Sequence, residues 1–193
     1  LEALCGAASV GAELGAASLD FTPAPINERT VDIDIGTAGS ITLLLQGVLL
    51  PCLFAKRPVK LRIIGGTDVA WSMPIDFFKD VFVPHLQKVA DVRVSLQKRG
   101  YYPKGQGIVE VLIVPRFSMD TSSLKLELQR ETYDDDRNLI RIEIPTIQLM
   151  EQGELQNIKG ISHASSALQK NNVAERQALA PDAADGRGRA RAR

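Results

Sequence analysis

Two periodicities alternate along the middle of the chain. Val31 to Ile35 interleaves apolar and acidic residues, the pattern of a strand with one wet face. Ser40 then precedes an apolar run of helical length, Ile41 to Ala55, interrupted by Gln46 and Pro51. The run predicts a helix with Ser40 as N-cap, bent or ended at Pro51. Val59 to Ile64 alternates again and stops at Gly65-Gly66. Ser72 and Pro74 predict a second helix entry, Ser72 as cap, Pro74 in the first turn, and Asp76 placed well for the helix dipole. Phe77, Phe78, Val81, Phe82 and Leu86 mark its expected buried side, with a kink at Pro84. Val92 to Leu96 and Ile108 to Val114 read as two more strands joined by a Gly-rich reversal at 100–107. The order strand, helix, strand, helix, strand, strand predicts an α/β (α+β) unit: two helices on one face of a mixed four-stranded sheet.

The flanks are less regular. Residues 1–20 mix Ala, Leu and Gly and predict the end of a helix, then a strand near Ala12 to Phe21. Beyond Pro115, the alternating runs Leu124 to Leu128 and Leu139 to Ile144 suggest a hairpin inside a surface insertion at about 118–145. Ala178 to Arg193 loses periodicity and ends in alternating Gly, Ala and Arg, which predicts a disordered tail over 179–193. Such a tail fits non-specific nucleic-acid binding and a truncated or out-of-frame end equally.

Composition narrows the partners. Lys plus Arg and Asp plus Glu are 23 each among 193 residues, so no global field announces a nucleic acid or a membrane, and any RNA contact must come from a local patch. Cys5 and Cys52 have apolar or small neighbours and no metal-ligand spacing, which suits reduced core residues in an intracellular protein. The longest apolar run is too short to span a bilayer. The opening Leu1-Glu2-Ala3-Leu4 carries no start methionine and no signal-peptide pattern, and reads as the middle of something larger.

Three blocks carry candidate chemistry. The first is Asp34-Ile35-Gly36-Thr37-Ala38-Gly39-Ser40, a small-residue turn before a helix, where unpaired N–H groups would face a bound phosphate. Ordinary helix entries use the same residues. Two turns into that helix, Gln46 either points back along the mouth of a site or sits on the exposed stripe, and periodicity alone favours the stripe. The second block runs from Gly65 through Trp71-Ser72-Met73-Pro74-Ile75-Asp76 to Phe77. The third, Lys98-Arg99-Gly100-Tyr101-Tyr102-Pro103-Lys104-Gly105-Gln106-Gly107, puts cations and rings on a Gly/Pro turn, a composition suited to RNA ends and equally to a solvated turn.

Together, in this order, the blocks resemble the RNA 3'-terminal phosphate cyclase family from about Cys5 to Pro115, and again, more weakly, from Gly153 to Arg176. The resemblance implies repeats of the unit described above, similar to the C-terminal domain of translation initiation factor three. It divides the chain into a partial large domain over 1–151, with one whole repeat at about 29–115, and the start of a smaller insert domain over 152–178. It implies ATP as cofactor with a divalent metal, Mg or Mn, and RNA 3'-phosphate ends as partner. In such a mechanism a histidine attacks the α-phosphorus of ATP, the adenylate passes to the RNA 3'-phosphate, and the neighbouring 2'-hydroxyl closes a 2',3'-cyclic phosphate. For the nucleotide it implies Gln46, Asp34, Gly36, Thr37, Gly39, Met73, Pro74 and Asp76. Met73 stands where the family has the first of two consecutive prolines, and for Asp76 the reading as a plain helix-dipole residue stands slightly ahead of a role in the site. For RNA it implies Arg99, Tyr101, Tyr102 and Lys104. Gln106 occupies a usual glycine position and costs about 1 kcal/mol if its φ is positive.

The chain has two histidines, His85 and His163, and neither matches the family's nucleophile, which lies beyond Arg193. No catalytic residue and no metal ligand are therefore assigned, and the chain alone is expected not to turn over. The family's non-catalytic branch, a ribosome-assembly factor acting on ribosomal RNA, is the alternative. A nuclear address is the expectation for a eukaryotic member.

Overall fold

The computed structural model describes residues 1–27, 30–120, 125–128, 147–179 and 191–192. The chain forms two compact units, Leu1–Thr146 and Ile147–Arg193.

The first unit is built on a four-stranded mixed sheet of β3 (Thr30–Asp34), β4 (Val59–Gly65), β6 (Gly107–Pro115) and β5 (Ala90–Lys98), in that spatial order. β3 and β4 pair in parallel, and β6 runs antiparallel to both β4 and β5. The register aligns Ile33, Ile63, Val109 and Leu96 in one row, and Val31, Leu61, Val111 and Val94 in the next. Alternation therefore sends one apolar face of all four strands to the same side. Helix α2 (Ile41–Leu53) packs on β4 and β6 through Ile41, Leu45, Val48, Leu49 and Cys52, a stripe of helical period. Burial pushes the Cys52 thiol up to about 11. Pro51 lies inside α2, and the helix ends two residues later, at Leu53.

The second helical segment departs from its expected shape. It begins at α3 (Ile75–Phe77) with Pro74, not Ser72, in the cap position; the Ser72 hydroxyl donates instead to the Val69 carbonyl at 3.1 Å. A wide π-type turn follows over Phe78–Phe82, then α4 (Val83–Leu86). The kink expected at Pro84 is realised as this wider turn, which makes room before a residue that has no N–H and whose ring crowds the carbonyl four positions back. The widening rotates the buried stripe. Ile75, Phe78 and Val83 are buried, with Phe82 and Leu86 packed beside them, whereas Phe77 and Val81, expected inside, are exposed. Phe78 and Phe82 stack with ring centroids 5.4 Å apart.

Other differences lie in the flanks. After α1 (Glu2–Cys5), a short hairpin of β1 (Ala8–Val10) and β2 (Asp20–Thr22) replaces the strand expected near 12–21. β7 (Phe117–Asp120) pairs with β8 (Lys125–Leu128), so the first alternating run of the insertion takes its partner from upstream; the run at 139–144 lies outside the described residues. In the second unit, 147–160 has no regular structure; β9 (Ile161–Ser162) leads through a 3-10 turn to α5 (Val173–Leu179). β9 pairs in parallel with β10 (Arg191–Ala192), two residues of a tail otherwise outside the described residues.

Candidate functional site

β3, β4 and β5 are mutually parallel, so their C-terminal ends and the start of β6 share one edge of the sheet. All three motif blocks leave the sheet at that edge, and main-chain bonds knit them together there. Beyond the ends of β3 and β4, Gly66 bridges 39–41 through Gly66 N–H to Gly39 O at 2.8 Å and Ile41 N–H to Gly66 O at 2.9 Å. Thr67 N–H donates to Gly100 O at 2.8 Å, and Gly100 N–H returns to the Thr67 hydroxyl at 2.9 Å. The loops pack backbone on backbone: a Cβ at Gly66 would collide with the Ala38 carbonyl, and one at Gly105 would lie 2.5 Å from Thr37 O and 2.8 Å from the Ala38 Cα. Gly105 also has φ +68, so its position demands a residue without a Cβ twice over.

The first block is partly bonded to itself. The Asp34 carboxylate accepts from Gly36 N–H at 2.8 Å, the Thr37 hydroxyl from Gly39 N–H at 3.1 Å, and the Ser40 hydroxyl from Leu43 N–H at 3.1 Å. With Ile41 N–H on Gly66, four donors of this helix entry have partners within the fold. The Thr42 hydroxyl donates to Met73 O at 2.6 Å and fixes the second block against the start of α2. Gln46 is exposed, one helical turn beyond Thr42 in α2. Met73 is half-buried against the core and Pro74 is exposed.

An ion-pair bridge joins the second and third blocks. Arg99 reaches Asp76 at 2.7 Å and Asp68 at 3.1 Å, and Asp68 also accepts from the Thr67 hydroxyl at 2.7 Å. Burial lowers the Arg99 pKa, but the hydrogen bond to Asp76 and the charges of both carboxylates more than offset it, so the guanidinium stays charged. Burial, then the charge of Asp68, pushes the Tyr101 phenol up. Arg99, expected at RNA, is thus held mainly by carboxylates, and Asp76 serves this bridge from the first turn of α3. Tyr101 is half-buried, its carbonyl accepting from Gly105 N–H at 2.7 Å; Tyr102 and Lys104 are exposed. Gln106 does adopt positive φ, +59.

The structure therefore brings Asp34, Gly36, Thr37, Gly39, Met73, Pro74, Asp76, Arg99, Tyr101, Tyr102 and Lys104 to one edge, while Gln46 lies further along α2, exposed. Thr67 and Asp68 escaped sequence reasoning, although a polar pair directly after the double glycine that ends β4 was a usable signal. His85 is half-buried in α4, away from these blocks in sequence.

A family model for RNA 3'-terminal phosphate cyclase matches residues 1–178. The chain belongs to that family. Among relatives named RNA 3'-terminal phosphate cyclase, the protein of Archaeoglobus fulgidus is 45% identical over 106 residues, 54% of this chain and 32% of the relative. That of Pyrococcus furiosus is 36% identical over 181 residues, 93% of this chain and 45% of the relative. That of Methanopyrus kandleri is 34% identical over 178 residues, 92% and 43% respectively. The chain spans less than half the length of these curated cyclases. They are archaeal, so a nuclear address gains no support from them. Among the described residues no helix is long and apolar enough to cross a membrane.

Proposed function

We propose that this chain supplies the central part of an ATP-dependent RNA 3'-terminal phosphate cyclase, which converts an RNA 3'-phosphate to a 2',3'-cyclic phosphate. The observation that carries the reading is the meeting of the three family blocks at one edge of the sheet, joined by Thr67, Gly100 and Arg99. In this reading Gln46, Met73 and Pro74 line the nucleotide side, over a turn shaped by Asp34, Gly36, Thr37 and Gly39, while Tyr102 and Lys104 face RNA. Arg99, with Asp76, positions the two loops relative to each other.

The chemistry is leaving-group activation: transfer of AMP through a histidine to the 3'-phosphate turns a poor electrophile into one that the 2'-hydroxyl can attack, with AMP departing. A divalent ion would supply charge neutralisation at phosphorus. Asp68 and Asp76 do not fit it, since the Arg99 guanidinium already spans them, and the ion is not assigned to them. Neither His85 nor His163 lies in the three blocks, so this chain alone is proposed to be inactive. Incubating the complete gene product with α-labelled ATP is expected to give acid-labile, protein-bound AMP. An unlabelled complete protein would remove the enzyme reading in favour of the non-catalytic branch.

A further inference from the structure

Trp71 has no place in the reading above, yet its setting is unusual. It is fully exposed, on the loop between β4 and α3, and its φ is +65. An indole in water leaves a large apolar face uncovered, and a left-handed backbone is unfavourable for any residue bulkier than glycine. Local rules favour a small polar residue here, and such departures gather where a ligand is held. Among the described residues of the first unit, the only other non-glycine residue at positive φ is Gln106, on the same edge of the sheet.

A second exposed ring stands on the neighbouring loop. Tyr102 is 83% exposed, two residues after Gly100, whose carbonyl accepts from Thr67 N–H at 2.8 Å and from Asp68 N–H at 3.3 Å. Trp71 follows Asp68 by three residues, and the Arg99 bridge to Asp68 and Asp76 holds the roots of both loops in fixed relation. Lys98 and Lys104, both exposed, flank Tyr102 in the sequence. Rings on rigid roots with lysines alongside form the arrangement that grips single strands: bases stack on the rings while the cations meet the phosphates.

We propose that Trp71 and Tyr102 form a stacking platform for the unpaired bases that precede the RNA terminus. The proposal rests on the RNA-end reading above and extends it to the strand behind the reacting phosphate. Trp71 contributes a face for a base, not chemistry, and its strained backbone is what keeps the indole outward.

Trp71 is the single tryptophan of the 193-residue chain, so its emission reports on this loop alone. Titration with a 3'-phosphorylated single-stranded hexaribonucleotide, without ATP, is expected to quench it strongly; an abasic strand of equal length and charge is expected to quench it little. With a labelled strand and anisotropy as readout, Trp71→Gly and Tyr102→Ala should each weaken binding about tenfold, and Trp71→Phe by no more than about threefold. Because glycine relieves the backbone, Trp71→Gly should melt at the parent temperature or above it. Affinity lost together with stability would reduce Trp71 to a structural residue. Equal quenching by the abasic strand, quenching by neither strand as a protein-binding surface would give, or parent-like affinity in both variants would overturn the platform. Adenylation of the complete protein is read without RNA, and quenching without ATP. A labelled protein with no quenching removes the platform alone, whereas quenching without label removes the cyclase reading and leaves RNA stacking in place.

Discussion

Three loops at the same edge of one sheet treat solvent in opposite ways. The turn at 34–40, the more suggestive of phosphate binding by composition, gives its Gly36 and Gly39 N–H groups to Asp34 and Thr37, and the helix start behind it gives Leu43 and Ile41 N–H to Ser40 and Gly66. The loops at 71–74 and 101–106 instead leave Trp71, Pro74, Tyr102 and Lys104 outward. A small-residue turn can serve to let backbones meet as well as to admit an anion, and here Gly105 and Gly66 use the space against Thr37 and Ala38. The side that looks like a cradle acts as foundation, and the side that looks like an ordinary solvated turn carries the reach.

Breaking the foundation should have the largest effect. Gly105→Ala places a methyl 2.5 Å from Thr37 O at φ +68, and a loss of about 3 kcal/mol in denaturant unfolding is expected. A parent-like midpoint would mean that the loops are not packed as described. Next comes the buried thiol at the far end of α2. Cys52 titrates near 9 when unfolded and at about 11 when folded, so the folded state holds its proton more tightly. Its contribution is complete below about pH 9 and disappears as pH rises towards 11, on the order of 2 to 3 kcal/mol. Comparing the pH slope of unfolding in the parent and in Cys52→Ala isolates it; identical slopes would refute the assignment. Arg99→Ala unties the open loops and should lower stability by about 1 kcal/mol, a partly exposed pair being screened by solvent. Lysine at 99, a single point charge, should restore only part of it. Ser40→Ala, a lost N-cap, is expected to cost about 1 kcal/mol by thermal melting. The smallest effect sharpens the contrast most: in the complete protein, Thr37→Ala should leave nucleotide affinity within about twofold, because its hydroxyl serves Gly39 N–H at 3.1 Å. A larger loss would return the ligand to that turn.

Legibility followed the reach of each signal. The sheet and α2 were readable because strand alternation and the Ser40 cap are local, and tertiary packing agreed with both. The second helix was half-readable: Pro84 announced a disturbance, but the π-type turn that moved Phe77 and Val81 outward depends on how carbonyls rearrange ahead of a proline. Ser72 looked like a cap because caps and loop hydroxyls share a composition; its bond to Val69 is set by the left-handed turn at Trp71. The Arg99 bridge was not legible, since Asp68 and Asp76 lie 31 and 23 residues away and only the sheet brings them together. A family resemblance could point to the blocks; it could not say which of their polar groups face one another.

Where Gly66 meets Ala38 and Gly105 meets Thr37 the loops touch main chain to main chain, with the Val69 side chain packed beside Gly66. With so little side chain at these contacts to absorb a mismatch, the three loops are held together as one collar. Diversification of this scaffold must therefore enter through the outward positions, with Trp71, Tyr102 and Lys104 as the interchangeable teeth of a fixed ring.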